Sequence, residues 1–372
     1  RRQRQMCIRD RIGCDLSCID MKILYLCTRP EAQNNGGSVV AGRNLCAIRQ
    51  IVGEESVEVC YLPKPTWKTV GRSLVTLSSY GLDRAYEDEI LDVASEYNII
   101  FIEGSLLGGL VKRLKKCNCK TFVFAHNVET LLYRQRLKQS WSLMSFLRYY
   151  FILFNERRSF RYADKIIALN NRDDLDLQKM FYRKADLVCP ITCPERDLDV
   201  KYTGFERSYC LFVGSNFFPN IEGLNWFLKY VAPYIDMDVR IVGACCKNPA
   251  FHNRILPDNV YLEGYVDNIA RYYINADAVI APIFSGSGMK TKTIEAMSYG
   301  KTIFGTNEAF AGIECDYDKI GGLCNTAEEF IRCLASPISR HPNSYTLQLF
   351  RTSYTDAIFT SRLKQLVFYA EK

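Results

Sequence analysis

The stretch of this sequence best suited to chemistry is a glycine-rich segment between a predicted strand and a predicted helix. Residues 285–300 read SGSGMKTKTIEAMSYG and follow the apolar run 278–283, which is typical of a buried parallel strand. Good helix formers fill 291–298, and Gly300 ends them. A strand, a glycine loop and a helix start in this order present free backbone N–H groups and a positive dipole end to an anion. We therefore expect an anion-binding loop here.

The side chains of this segment indicate which kind of anion the loop would bind. Gly286 and Gly288 allow close approach of the backbone, while Lys290 and Lys292 add mobile cations. Glu295 lies about one turn further into the predicted helix. This combination fits a nucleotide diphosphate better than a bare metal ion or an apolar ligand.

The composition is that of a soluble globular protein with an uneven charge. The chain has 372 residues, 48% of them apolar and 24% charged, with a net charge of +7. This length is enough for two domains, each with its own core. Residues 101–161 hold twelve lysines and arginines against three acids. Such a basic face indicates an anionic partner, either a phosphate-rich substrate or membrane lipid.

Cysteine and histidine patterns argue against a metal site or a cofactor. The sixteen cysteines show no C-x2-C pair, and only three histidines occur. We expect reduced structural thiols in a cytoplasmic protein, without metal or resident cofactor. No run of 18 apolar residues occurs, and residues 1–20 have no apolar core of a signal peptide. We therefore predict that 1–20 form an extension outside the domains.

The first half of the chain carries two further candidate sites at predicted strand ends. The strand at 22–27 precedes Gly36 and Gly37, which form either a tight packing turn or a loop that approaches a ligand. The strand at 120–125 ends at His126, followed by Asn127 and Glu129. The carboxyl edge of a parallel sheet is where α/β proteins bind ligands. Hence His126 is a functional candidate.

An aromatic and basic segment follows at 141–162. It interleaves Trp, Phe and Tyr side chains with four arginines. Amphipathic rings beside cations suit the headgroup layer of a membrane. A long helix packed on the core with a solvated basic face would show the same composition. Both interpretations stay open at this point.

The order of elements predicts an α/β protein of two Rossmann-like, doubly wound domains. Pro190 and Pro194 with the polar stretch after them indicate a hinge. We predict an N-terminal domain at 21–193, a C-terminal domain at 194–344 and a helical segment at 345–372. The two sheets face each other across a cleft, and the last helix is expected to pack back on the N-terminal domain.

With this organisation, the chain resembles the GT-B fold glycosyltransferases. The resemblance is greatest to the retaining family 4 (group 1), whose members build bacterial surface polysaccharides such as capsule and lipopolysaccharide. The residues that carry it are Phe212 to Ser215, Pro219, Asn220, Gly223, Val242, Gly243, Asn259 to Val266, Ala276 to Ala278, Gly286 to Lys290, Glu295 to Met297, Gly300, Lys301, Glu308 to Phe310 and Gly312. The resemblance covers nearly all of 21–372 and is most specific in the C-terminal half.

This resemblance implies a hexosyltransferase that moves a sugar from a nucleotide-sugar donor with retention of configuration. Glu295 matches the second glutamate of the family's Glu-x7-Glu motif, which holds the ribose, whereas Ser287 stands at the first position. His126, Lys290 and Glu295 are then the catalytic candidates. The implied donor-binding residues are Gly214, Ser215, Gly243, Gly286, Ser287, Gly288, Met289, Lys290, Lys292 and Glu295. Gly36, Gly37, Asn127 and Glu129 lie on the acceptor side.

The resemblance also implies partners and alternatives. The acceptor is expected to be lipid-linked or a glycan, and the enzyme to work without metal at the inner face of the plasma membrane. No nucleic-acid partner is expected. A catalytically inactive partner subunit, favoured by Ser287, and a nucleotide-sugar 2-epimerase are the two alternatives.

Overall fold

The computed structural model describes residues 21–29, 36–200, 205, 207–252, 255–286 and 288–369. In this part of the chain, two six-stranded parallel sheets are flanked by helices. The predicted extension 1–20 and the loop residue Ser287 lie outside the described residues. The α/β, two-sheet prediction is confirmed, whereas the predicted domain boundaries stay predictions.

The first sheet has the strand order β2-β1-β3-β4-β5-β6. Its strands are β1 (Ile23–Thr28), β2 (Val57–Leu62), β3 (Ile99–Glu103), β4 (Lys120–Ala125), β5 (Lys165–Ala168) and β6 (Leu187–Val188). Its helices are α1 (Gly36–Val52), α2 (Trp67–Thr76), α3 (Arg84–Ala94), α4 (Gly108–Leu114), α5 (Glu129–Gln139), α6 (Leu143–Tyr162) and α7 (Asn171–Phe181). The chain reverses its winding direction between β1 and β3, where a parallel sheet forms a crevice.

The second sheet has the order β12-β11-β10-β7-β8-β9, with its own reversal between β7 and β10. Its strands are β7 (Tyr209–Val213), β8 (Asp238–Val242), β9 (Val260–Gly264), β10 (Ala278–Ala281), β11 (Thr302–Gly305) and β12 (Gly321–Leu323). Its helices are α8 (Phe218–Tyr230), α9 (Pro249–His252), α10 (Ile269–Asn275), α11 (Thr291–Ser298), α12 (Tyr317–Ile320) and α13 (Ala327–Ala335). The glycine-rich segment leaves β10 at this reversal and therefore lies at the crevice of the second sheet.

The C-terminal helices return to the first sheet, as expected. Helix α14 (Ser344–Ser353) is followed by α15 (Asp356–Tyr369), and the fully buried Phe359 and Leu363 of α15 share one core cluster with Ile48 of α1. The Arg43 guanidinium lies 4.2 Å from the centre of the Phe359 ring. This packing joins the end of the chain to the first domain.

Helix α6 packs on the core along part of its length, as one of the two interpretations expects. From Phe151 onward it buries Phe151, Ile152 and Phe160, whereas Met144 and Tyr150 before them are exposed. Among the described residues, no helix is long and apolar enough to cross a membrane.

Candidate functional site

The glycine-rich loop approaches the first domain at the end of β4. Gly286 and Gly288 have φ values of 115° and 68°, which favour glycine. A Cβ on Gly288 would lie 2.2 Å from Asn127 Oδ1 and 3.3 Å from the His126 carbonyl oxygen. A side chain at Gly288 would therefore have to displace the Asn127 amide, in addition to adopting an unfavourable backbone conformation. The structure thus brings the loop, His126 and Asn127 together across the cleft.

Helix α8 packs against the start of the glycine-rich segment through another glycine, Gly223. A Cβ on Gly223 would lie only 1.6 Å from the Pro282 carbonyl oxygen. Because Pro282 directly follows β10, this contact holds the helix against the base of the glycine-rich loop. The base of the loop is therefore held by backbone packing.

Lys290 is engaged in an interdomain charge network. Its Nζ donates to the Gly288 carbonyl oxygen at 2.8 Å and to Glu308 Oε1 at 2.7 Å. Arg172, at the start of α7 in the first domain, donates to Glu308 Oε2 at 3.3 Å. Burial lowers the pKa of Lys290, and Glu308 opposes that shift. A phosphate entering here would replace or share the Glu308 contact.

Lys292 is held by two neighbours, so its description as a mobile cation is wrong. Its Nζ donates to Asn220 Oδ1 at 2.5 Å and lies 4.4 Å from the centre of the Phe212 ring. Burial lowers the pKa of Lys292 to about 7. Asn220 Nδ2 in turn donates to the Ser215 carbonyl oxygen at 2.9 Å. Lys292 therefore brings an amine to the 214–223 loop, which has no Lys or Arg of its own.

Glu295 already has two partners in the structure. The Tyr273 hydroxyl donates to its Oε2 at 3.2 Å, and Arg196 Nη2 lies 3.8 Å from its Oε1. Arg196 belongs to the segment between the two sheets, and its guanidinium stands 5.3 Å from the centre of the Tyr299 ring. Burial raises the pKa of Glu295, whereas Arg196 and Tyr273 lower it. Ribose binding at Glu295 would have to open or share the Arg196 contact.

The remaining C-terminal candidates shape the loops by packing. A Cβ on Gly243, whose φ is 113°, would lie 2.3 Å from the Gly214 carbonyl oxygen. Met289 is buried, and its side chain approaches Gly312. Gly243 and Gly214 therefore bring the loops after β8 and β7 into contact. Met289 can offer a ligand only its backbone unless its side chain moves.

On the opposite side of the cleft, His126 is paired with a carboxylate that sequence reasoning missed. His126 Nε2 lies 2.6 Å from Glu103 Oε2, and the Glu103 side chain is only 4% exposed. Tyr25 donates its hydroxyl to Glu103 Oε1, and Asn44 Nδ2 donates to the same oxygen at 2.8 Å. Glu103 ends β3 just as His126 follows β4. The strand-end rule that selected His126 could have selected Glu103 as well.

The other acceptor-side candidates are Asn127 and Glu129, which follow His126, and Gly36 and Gly37, which begin α1. Asn127 Nδ2 donates to Glu129 Oε1 at 3.4 Å, and burial raises the pKa of Glu129. Gly36 and Gly37 begin α1, but residues 30–35 before them are not described. Among the described residues, no group of three His, Cys, Asp or Glu side chains could hold a metal ion.

Comparisons with known proteins fit this architecture. Residues 207–336 match the family model "Glycosyl transferases group 1". A sequence comparison with curated proteins finds no match. Sucrose-phosphate synthase from Thermosynechococcus elongatus has a similar structure, with a TM-score of 0.68 at 16% identity over 95% of this chain and 100% of that chain.

Two further solved structures are similar over most of the chain. Anabaena HepE in complex with UDP gives a TM-score of 0.62 at 12% identity, over 94% of this chain and 100% of that chain. WaaG, a glycosyltransferase involved in lipopolysaccharide biosynthesis, gives a TM-score of 0.55 at 13% identity, over 94% of this chain and 95% of that chain. At identities this low, the structural similarity shows a shared fold. The chain therefore has the GT-B fold, and its residues 207–336 match the group 1 glycosyl transferase domain.

Proposed function

We propose that this enzyme transfers a hexose from a nucleoside diphosphate sugar to an acceptor hydroxyl, with retention of anomeric configuration. The observation that carries the proposal is the approach of the Gly288 loop to His126 and Asn127 across the cleft. A donor whose diphosphate lies at the loop would present its sugar to the first domain. Retention follows the family resemblance.

The proposed roles follow from the charges around the loop. Leaving-group charge on the diphosphate is stabilised by backbone N–H groups, by Lys290 and by Lys292, which are already positioned before the reaction. This arrangement gives a route to transfer without metal. Glu295 accepts hydrogen bonds from the ribose, and His126 contacts the donor sugar or the acceptor hydroxyl.

The acceptor is proposed to be lipid-linked or a glycan that enters on the side of Gly36, Gly37, Asn127 and Glu129. The basic first domain supports an anionic acceptor. HepE was solved with UDP and with UDP-glucose. UDP-glucose is therefore the first donor to try.

The direct test is a donor panel incubated with and without a lipid-linked acceptor. Release of nucleoside diphosphate only when acceptor is present supports transfer. Isomerised sugar without acceptor would indicate a 2-epimerase instead. No turnover with any donor, together with tight binding to another glycosyltransferase, would indicate an inactive partner subunit.

Lys292 gives a prediction about proton uptake. At pH 8 a lysine whose pKa is about 7 is mostly neutral in the free enzyme. A bound diphosphate favours its charged form, so we expect uptake of up to about one proton per nucleotide. Calorimetric titration with UDP at pH 8, in two buffers of different ionisation enthalpy, measures this uptake. Lys292→Met should abolish it, and equal binding enthalpies of the wild type in both buffers would contradict the role.

We also propose that the first domain contacts the cytoplasmic face of the plasma membrane through the start of the 141–162 segment. Exposed apolar side chains line this region of α5 and α6, including Trp141 at 74% and Met144 at 68% exposure. Arg136 and Arg148 border a groove of about 220 Å³ between the two helices. No acidic residue occurs between Glu129 and Glu156. An exposed apolar surface whose charged neighbours are all cations favours binding to an anionic bilayer.

Helix α2 carries further exposed apolar side chains in the first domain. Trp67 and Val75 of α2 are 79% and 85% exposed, and Arg158 of α6 donates to the Leu77 carbonyl oxygen at 2.9 Å. The ring of Phe151 in α6 lies 5.7 Å from that of Tyr80. The residues just after α2 therefore contact α6 at Phe151 and Arg158.

Removing two apolar side chains from this surface tests the contact. The double variant Trp141→Ser, Met144→Ser should bind vesicles of phosphatidylglycerol and phosphatidylcholine at least about tenfold more weakly, because each buried apolar side chain contributes about 1.5–3 kcal/mol. Co-sedimentation measures the binding. Tyr234→Ser, an exposed ring in the second domain, is the matched control. Equal vesicle binding of the wild type, the double variant and Tyr234→Ser would refute membrane contact through this surface.

A further inference from the structure

Glu103 is a buried carboxylate whose partners all converge on one side of the cleft. Its Oε1 accepts from Tyr25 and from Asn44, and its Oε2 faces His126 Nε2 at 2.6 Å. A carboxylate with so little solvent contact is tolerated only when hydrogen-bond donors surround it. The three donors come from β1, α1 and the end of β4. The surrounding elements thus hold Glu103 in one position.

A second layer holds these donors in turn. Arg43 Nη2 donates to Asn44 Oδ1 at 2.7 Å, which fixes the amide so that its Nδ2 points to Glu103. Arg43 also donates to Thr192 Oγ1 at 3.3 Å, and Thr192 donates to Asp356 Oδ1 at 2.6 Å. Both Thr192 and Asp356 lie where the chain passes between the two domains. These hydrogen bonds therefore connect the segments between the two domains to His126.

A carboxylate beside one ring nitrogen determines where a neutral imidazole carries its proton. Because an ionised carboxylate can only accept, Nε2 must donate, and Nδ1 is left as the accepting nitrogen. Among the described residues, Nδ1 of His126 has no hydrogen-bond partner. It is therefore the nitrogen available to a substrate hydroxyl.

We propose that Glu103 is a positioning residue for sugar transfer: it orients the His126 ring and holds its proton on Nε2, so that Nδ1 can accept from a hydroxyl of the donor sugar or the acceptor. This inference rests on the proposed function for the role of His126 in the reaction. The tautomer itself depends only on the contacts of Glu103. The charged and titratable groups around the pair are Tyr25, Cys27, Arg43 and Glu129.

The test combines ring NMR with kinetics on Glu103→Gln. The chain has only three histidines, so long-range ¹H–¹⁵N spectra of the rings can be assigned with single His variants. The wild type should show His126 protonated at Nε2, and Glu103→Gln should lose that preference. We expect the turnover number to fall about ten- to a hundredfold, by analogy with removal of the carboxylate partner of a metal-ligating histidine. The KM of the donor should change little.

Two further variants separate positioning from folding. Glu58→Gln removes the same charge from an exposed carboxylate of β2 that accepts from Tyr97, and it should leave the His126 spectrum and the rate unchanged. Tyr25→Phe keeps the Glu103 to His126 contact and should keep the Nε2–H tautomer even if stability falls. A folded Glu103→Gln protein with a wild-type His126 spectrum would overturn the proposal.

The proposed function can fail independently of this inference. If His126→Ala retains full transfer activity while Glu103→Gln still changes the ring tautomer, the geometry stands and the role of His126 in transfer is wrong. If Glu103→Gln changes the tautomer without changing turnover, positioning for the reaction is refuted.

Discussion

Replacing Lys290 with alanine should lower the turnover number by about 10²–10³, the usual loss when one preorganised donor to transition-state charge is removed. The Lys290 ammonium is held at the loop by Gly288 and Glu308, so it needs no large movement to meet a phosphate. Without this ammonium, only the backbone N–H groups and Lys292 stabilise the charge that develops on the leaving diphosphate. Steady-state kinetics at saturating donor and acceptor measure the effect.

Lys319→Ala is the matched control for this variant. Lys319 pairs with Asp316 at 3.0 Å in the same domain, and its side chain is 65% exposed. The change in charge is identical, but the side chain lies outside the proposed site. Wild-type turnover is expected for Lys319→Ala. Wild-type turnover of Lys290→Ala would instead remove the basis for placing the diphosphate at this loop.

Glu295→Gln should weaken donor binding by roughly ten- to a hundredfold, because a hydrogen bond to a charged group contributes about 1.5–3 kcal/mol. The amide can still accept one bond from the ribose but cannot grip two vicinal hydroxyls as a carboxylate does. The substitution also removes the charge that faces Arg196 at 3.8 Å. We expect the KM of the donor to rise more than the turnover number falls.

Glu328→Gln provides the comparison for Glu295. Glu328 is exposed at the start of α13, away from the cleft candidates, and the substitution changes charge and size equally. Its donor KM should match the wild type. Thermal unfolding of both variants shows whether loss of the Arg196 contact alters folding. An unchanged donor KM for Glu295→Gln would contradict ribose binding at this residue.

Much of the fold could be predicted because parallel strands leave a strong local pattern. The run at 278–281 is buried at every position, and Gly288 and Gly300 fall in left-handed conformations that favour glycine. These features depend on neighbouring residues alone. The exposed start of α6 is different, since the aromatic residues of 141–162 look alike until tertiary packing selects which of them are covered.

The charge partners could not be predicted, because distant elements supply them. Arg172 and Glu308 are 136 positions apart, and Arg196 reaches Glu295 from a segment without periodicity. Lys292 shows the same limit. The sequence identifies a lysine near a phosphate loop, but only the structure shows that its ammonium is held by Phe212 and Asn220. Glu103, by contrast, carries a local signal, because it ends β3 just as His126 follows β4.

The central claim is that the donor diphosphate lies at the glycine-rich loop beside Lys290. Calorimetry can test it with the tightest diphosphate from a screen of UDP, ADP, GDP and CDP, and with the nucleoside of the same base. We expect Lys290→Ala to weaken diphosphate binding about tenfold or more, as for any lost charge-assisted contact. Nucleoside binding should be unchanged. Equal diphosphate affinity of the wild type and Lys290→Ala would contradict this placement of the diphosphate.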